Sequence, residues 1–243
     1  MKPTTVDIVF VLDASESMRP CFEGLASNLG RVVQPLQGFG FTVRLGLVAL
    51  RVGRSPAGGG VYDLVTLVEN ADPIQCVRDG DTALFTDERS KFLAAIRSLK
   101  LAGDEQQLLA LDFALDFPFG PLASTRRVVA LFSDEPLEGG FGASEFCAHI
   151  PDLVTKIMAR RVQLFAALPA SDALDHLGAA DAAQIEPVQG GDGLAGVDFG
   201  KLLAQMAKSI SAASLQASTE NFRKGTFGQY EWERSDANFG GLR

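Results

Sequence analysis

Cysteine is scarce and scattered. Cys21, Cys76 and Cys147 are the whole supply, odd in number and without a CxxC pair. That spacing excludes a disulfide framework and a thiolate zinc site, and leaves free buried thiols in a reducing compartment as the expectation. Histidine is scarcer still: His149 and His176 stand alone, each without a second His or Cys at ligand spacing. His149 falls within an apolar helical stretch and is expected to be packed there. Positive charge is in deficit, with 22 Lys and Arg against 30 Asp and Glu and a net charge of −8. A nucleic-acid binder needs cations to displace the counterions of phosphates, and an anionic membrane asks the same, so both partners are disfavoured. No run reaches the ~20 apolar residues of a membrane-spanning helix. The first apolar run, VDIVFVL, meets Asp13 too soon for a signal-peptide core. The expectation is a cytoplasmic protein.

Familiar nucleotide and nucleophile motifs are also missing. Gly139-Gly140 and Gly190-Gly191 follow expected strands, but neither forms GxGxxG, and no GxxxxGK[ST] loop is present. No Gly-x-Ser-x-Gly elbow supports a serine hydrolase. Asp79-Gly80-Asp81-Thr82 resembles the start of a calcium loop. It lacks the glycine and glutamate such a loop needs further on, so a turn is expected.

What is present suits one α/β domain of 243 residues, with 47% apolar and 21% charged residues. Val6–Leu12 reads as a strand buried on both faces. Met18, Phe22, Leu25, Leu29 and Val32 lie at helical spacing, and Pro35 and Gly38 are expected to end that helix. Phe41–Val52 and Val61–Val68 read as strands of an antiparallel hairpin around the turn Ser55–Gly60. Helices are expected over Glu88–Leu99, capped by Thr86 or Asp87, and over Glu105–Leu115. Strand Arg126–Phe132, helix Ser144–Arg160, strand Val162–Leu168, helix Ser171–Leu177, strand Ala183–Val188 and helix Asp198–Leu215 follow. The alternation predicts a doubly wound α/β domain over residues 1–215. Its sheet is mostly parallel and six-stranded with one antiparallel edge strand, and helices cover both faces. Residues 216–243 form a polar tail holding the only tryptophan, Trp232, and are expected either to be loosely ordered or to serve as a recognition segment.

In such sheets ligands bind beyond the carboxyl ends of the strands. The first strand runs into Asp13-Ala14-Ser15-Glu16-Ser17. Three oxygen-bearing side chains at alternate positions in a tight turn can aim at one point. Carboxylate and hydroxyl oxygens are hard ligands suited to Mg²⁺, Mn²⁺ or Ca²⁺.

With that motif in place, the stretch from Thr5 to Leu215 resembles von Willebrand factor A domains. Asp13, Ser15 and Ser17 match the family's DxSxS signature, the metal-ion-dependent adhesion site. The resemblance implies that Asp134, following the strand RRVVALF, is the site's second aspartate. It also implies a threonine ligand before the next helix. Here the sequence departs, with Glu105 at that position and Asp104 beside it. Either carboxylate is a candidate ligand or a helix-capping group. An added carboxylate would leave the cation less attractive to an acidic partner and favour a neutral oxygen.

Three functions compete. The resemblance implies a metal-dependent protein-binding module whose partner completes the ion's coordination with an acidic side chain or a carbonyl. Intracellular bacterial relatives work beside MoxR-type AAA+ ATPases or kinase and phosphatase partners. A metal-free scaffold of the same fold is the second reading. A phosphoaspartate phosphatase is the third. Such enzymes carry D-x-D after the first strand, and Ser15 occupies the position of the second aspartate, where a hydroxyl does no acid–base work near neutrality. The chain is therefore expected not to be an enzyme.

Overall fold

The structure, a computed structural model, describes residues 4–54, 60–68, 71–140, 142–215, 220–222 and 232–234. Strand β1 (Thr5–Asp13) is buried from its second residue onward, as a continuous β-branched and aromatic run requires. It lies at the centre of the sheet, parallel to β2 (Thr42–Arg54) on one side and β5 (Thr125–Phe132) on the other. β6 (Val162–Pro169) and β7 (Ala183–Val188) extend the parallel sheet beyond β5. On the far side β3 (Gly60–Val65) pairs antiparallel with the last part of β2.

The sheet has seven strands rather than six. The addition is β4 (Phe85–Thr86), which pairs antiparallel with Leu45 and Gly46 lower on the same edge of β2. Two residues are too few to show a period of two.

Helices cover both faces. On one, α1 (Arg19–Asn28), α2 (Gly30–Gly38), α4 (Arg89–Ser98) and α9 (Phe199–Leu215) enclose a core around Phe10, Phe92, Phe132 and Met206. Phe10 stacks on Phe132 with ring centres 6.4 Å apart and meets Phe92 at 5.3 Å. On the other, α3 (Pro73–Asp79), α5 (Gln107–Leu115), α7 (Ile150–Arg160) and α8 (Asp172–Leu177) enclose a core around Val11, Leu111, Leu131 and Leu164. No helix among the described residues is long and apolar enough to cross a membrane.

Several boundaries differ from expectation, each for a local reason. The helix read from Glu16 onward is a 3₁₀ turn over Glu16–Met18, then α1, then α2, which passes through Pro35 and ends at Gly38. Pro35 is exposed, and the helix continues past it for three more residues. The cap of α4 is Glu88 rather than Thr86 or Asp87, although the Thr86 hydroxyl accepts from the Glu88 amide at 3.1 Å. The long helix after Ser144 breaks into α6 (Ala143–Cys147) and α7, because Pro151 lacks the amide needed to continue a turn but suits a new one. His149 sits at that break, exposed and 3.6 Å from the Asp152 carboxylate, and is not packed. Gly80 ends α3 in the left-handed conformation and Asp81 caps the next turn, so Asp79–Thr82 is a turn. The turn at Ser55–Gly60, except for Gly60 itself, and most of the tail lie outside the described residues. Within 216–243, Glu220–Phe222 (β8) and Trp232–Arg234 (β9) pair antiparallel.

Candidate metal centre at the end of the central strands

The chain leaves β1 toward β2 on one side, while β5 leads to β6 on the other. The direction of winding therefore reverses between β1 and β5, the place where open α/β sheets bind ligands. Asp13 ends β1, and Ser133 and Asp134 follow directly on β5.

A chain of oxygen contacts links these two loops. The Ser15 amide donates to Asp13 Oδ1 at 2.8 Å, which closes the turn and fixes the carboxylate. The Ser15 and Ser17 hydroxyls are 3.0 Å apart, and Ser17 Oγ donates to Asp134 Oδ1 at 3.2 Å. Four of the expected ligands thus converge at one spot, from loops 117 positions apart in sequence. Asp13, Ser15 and Asp134 are buried, while Ser17 is exposed.

Ser133 anchors the arrangement from below. Its hydroxyl donates to Asp13 Oδ2 at 3.0 Å and accepts from Gln107 Nε2 at 2.8 Å and from the Glu135 amide at 3.1 Å. The loop after β7 anchors it from the side. The Gly193 amide donates to Asp134 Oδ2 at 2.9 Å, and the Gly191 amide to the Asp134 carbonyl at 2.9 Å. Residues 191–194 all have left-handed backbones, with φ of 78°, 53°, 59° and 62°. Position 193 admits only glycine, since a Cβ there would stand 1.8 Å from the Ser17 carbonyl. Asp192 and Leu194 hold the same conformation without that freedom, at a cost of ~1–2 kcal/mol each. Strain of this kind persists where the surroundings over-determine it, and Leu194 is held by burial in the core.

Ser133, Gln107 and Gly193 carry the geometry without belonging to the signature. Ser133 had a signal, a polar residue at the exit of a buried strand. Gln107 and Gly193 had none, because their roles depend on loops brought together only by folding.

Glu105 and Asp104 part company. Asp104 forms a two-bonded backbone bridge with Val52, both N–O distances being 2.8 Å. This bridge, with the Gln106 side chain accepting from the Leu108 amide, delays the start of α5 from Glu105 to Gln107. Glu105 is buried beside the site. Burial, then the Asp13, Asp104 and Glu135 charges, pushes its carboxyl from 4.5 up to about 7. Burial likewise raises Asp13 from 3.8 to about 6; the hydrogen bonds from Ser15 and Ser133 work against this, and the Asp134 charge adds to it. Cys21 lies beneath, its thiol raised by burial and by the charges of Asp13 and Asp134.

The field here is negative. Asp13, Ser15, Ser17 and Asp134 meet no lysine or arginine among the described residues. The described residues hold no group of three His, Cys, Asp or Glu side chains placed to share an ion. The donor set is instead two carboxylates bridged by two hydroxyls. Such a set suits a small hard cation, whose charge would relieve the burial of Asp13.

No protein-family model and no curated protein matches the sequence. Solved structures do match its fold. A von Willebrand factor type A structure from Catenulispora acidiphila aligns over 84% of this chain and 43% of its own, with a TM-score of 0.52 at 16% identity. Proximal thread matrix protein 1 from the mussel byssus aligns over 86% of this chain and 48% of its own, with TM-scores of 0.50 and 0.52 in two structures at 12% identity. The chain spans less than half the length of these structures. It has the von Willebrand factor A fold.

Proposed function

We propose that this chain is a protein-binding module that holds a divalent cation, Mg²⁺ or else Mn²⁺ or Ca²⁺, at the crest of its sheet and offers it to an oxygen of a protein partner. The observation that carries the reading is the contact chain Asp13–Ser15–Ser17–Asp134. It places two carboxylates and two hydroxyls from distant loops together without a cationic side chain to neutralise them. The fold supports a protein-interaction role and nothing more specific.

Asp13, Ser15, Ser17 and Asp134 would hold the ion, with Glu105 the adjacent group that sets its residual charge. A bound cation supplies a point of positive charge for a partner's carboxylate or carbonyl. Ser133 and the Gly193 amide orient the two aspartates through Oδ2, and the Oδ1 atoms, which accept from the Ser15 amide and the Ser17 hydroxyl, face the shared spot. Ser17, the exposed member, marks the side from which a partner approaches. Ionised Glu105 would add a third carboxylate and shift preference from an acidic partner ligand toward a carbonyl. Catalysis is not part of the reading, since Ser15 stands where an acid–base carboxylate would be needed.

The test is thermal melting in EDTA and then in excess Mg²⁺ or Mn²⁺. A ligand confined to the folded state must stabilise it, by ~2.7 kcal/mol at a hundred times its dissociation constant. An unchanged melting temperature in millimolar-range metal would favour the metal-free scaffold instead.

A further inference from the structure

A groove between α1 and α4 opens beside the Asp13 loop. It encloses about 320 Å³ and is lined chiefly by Arg19, Phe22, Glu23, Ile96, Arg97 and Leu101. Its floor is apolar, with Phe22 and Ile96 buried and Leu101 half-buried. It is tied to the candidate metal loop at both ends. Arg19 lies two positions past Ser17, and the Ala102 amide, next to Leu101, donates to the Ala14 carbonyl at 2.9 Å.

The charged lining of the groove, Arg19 and Arg97 against Glu23, is net positive where the molecule is net negative. The chain carries −8 overall, and Glu16, Asp104, Glu105, Asp134 and Glu135 cluster at the crest. Helix α4 carries Arg89, Lys91 and Arg97 and no acidic residue. Arg19 and Arg97 are exposed, and among the described residues neither has a hydrogen bond or ion pair. Two unengaged guanidinium groups above an apolar floor recognise a carboxylate next to an apolar side chain. A continuous polyanion would have to cross the acidic crest, so the surface selects against nucleic acid.

We infer that this groove is the second half of the partner-binding surface and takes a protein segment in which acidic and apolar residues alternate. A carboxylate of that segment pairs with Arg19 and Arg97, and an apolar neighbour lies against Phe22, Ile96 and Leu101. The inference rests on the metal-dependent reading only for where the segment begins. The chemistry of the groove is independent of the ion.

The experiment is fluorescence anisotropy of the full chain with a short fluorescein-labelled peptide of alternating aspartate and leucine, in Mg²⁺ and in EDTA. A lysine–leucine peptide of equal length is the control. The acidic peptide is expected to bind at least about tenfold tighter than the basic one. Arg19→Glu with Arg97→Glu should weaken it by about tenfold or more, and Arg19→Gln with Arg97→Gln should weaken it in the same direction. Both pairs replace exposed side chains, so unchanged melting temperatures verify the fold. Loss on charge reversal with no effect of EDTA or Asp13→Ala would uphold the groove and sink the metal reading. Loss with EDTA or Asp13→Ala but not with charge reversal would uphold the metal and overturn the groove. No binding of the acidic peptide, or its displacement by a homopolymeric RNA, would also overturn the inference.

Discussion

Replacing Glu105 by glutamine should stabilise the metal-free protein, and do so only at high pH. The folded state raises this carboxyl from 4.5 to about 7, first by burial and then by the Asp13, Asp104 and Glu135 charges. The folded protein therefore holds a proton that the unfolded chain has already released. Stability from this group is greatest below the unfolded value, falls as pH climbs from 4.5 toward 7, and is flat above that. At ~1.36 kcal/mol per pH unit, ionised Glu105 opposes folding by about 3 kcal/mol at high pH. Residual solvent at its edge reduces this to about 2 kcal/mol. Glu105→Gln keeps the shape and removes the charge. For a domain of this size ~1 kcal/mol moves the melting temperature by about 2–4 °C, so the gain in EDTA at pH ~8 should be about 4–8 °C. At pH ~5 it should fall below about 2 °C. Calorimetric melts of both proteins at the two pH values, compared as differences, cancel the titrating groups that Glu105 does not touch. A gain equal at both pH values, or a loss that grows with pH, would show that folding does not raise the Glu105 carboxyl.

Three further outcomes follow from the same contacts. Asp13→Ala should abolish the Mn²⁺-dependent rise in melting temperature while leaving a cooperative fold, and calorimetric Mn²⁺ binding as tight as wild type would remove the site assignment. Gly193→Ala should push the Ser17 carbonyl away from a Cβ that would stand at 1.8 Å, loosening Asp134; metal affinity should drop by about tenfold or more, and unaltered affinity and melting would show that the loop adjusts freely. Asp7 is fully buried, accepts from Arg44 Nε at 2.7 Å and Nη2 at 2.6 Å, and also accepts from the Gly120 amide at 2.8 Å. Removing one partner of such a pair costs about 3–5 kcal/mol, so Asp7→Ala should lower the melting temperature by at least about 6 °C without touching metal affinity, since Asp7 lies at the start of β1 and the site at its end.

The sheet was legible because its central strands are buried on both faces and read as unbroken apolar runs. Val6–Leu12, Arg126–Phe132 and Val162–Leu168 all fall inside observed strands. What stayed hidden was set by single residues acting through the backbone. Pro151 divides one amphipathic stretch into two helices. Pro35 does not end its helix, which runs on to Gly38 with the Pro35 carbonyl accepting from the Phe39 amide at 3.1 Å. Phe85–Thr86 becomes a strand only because β2 offers an unpaired edge beside it. The two prolines act on their own helices, and only the pairing of Phe85–Thr86 was decided by a contact distant in sequence.

The candidate site shows the same division more sharply. Asp13, Ser15 and Ser17 lie within five residues of one another, so a sequence pattern can hold them. Asp134 is recognisable because it follows a buried strand. What brings the two loops into register is the Ser133 hydroxyl, engaged by Asp13, Gln107 and Glu135 together, and the left-handed run at 191–194 that delivers the Gly193 amide to Asp134. These groups would touch no ion and need only be small, polar and correctly aimed. Their identity is constrained by the distances they span rather than by the chemistry they perform. The Glu105 departure belongs to this second class as well. Its weight comes from burial beside Asp13, which α5 produces by starting only at Gln107. Substitutions at Ser133, Gln107 and Gly193 are therefore where the geometry of the site can be separated from its charge.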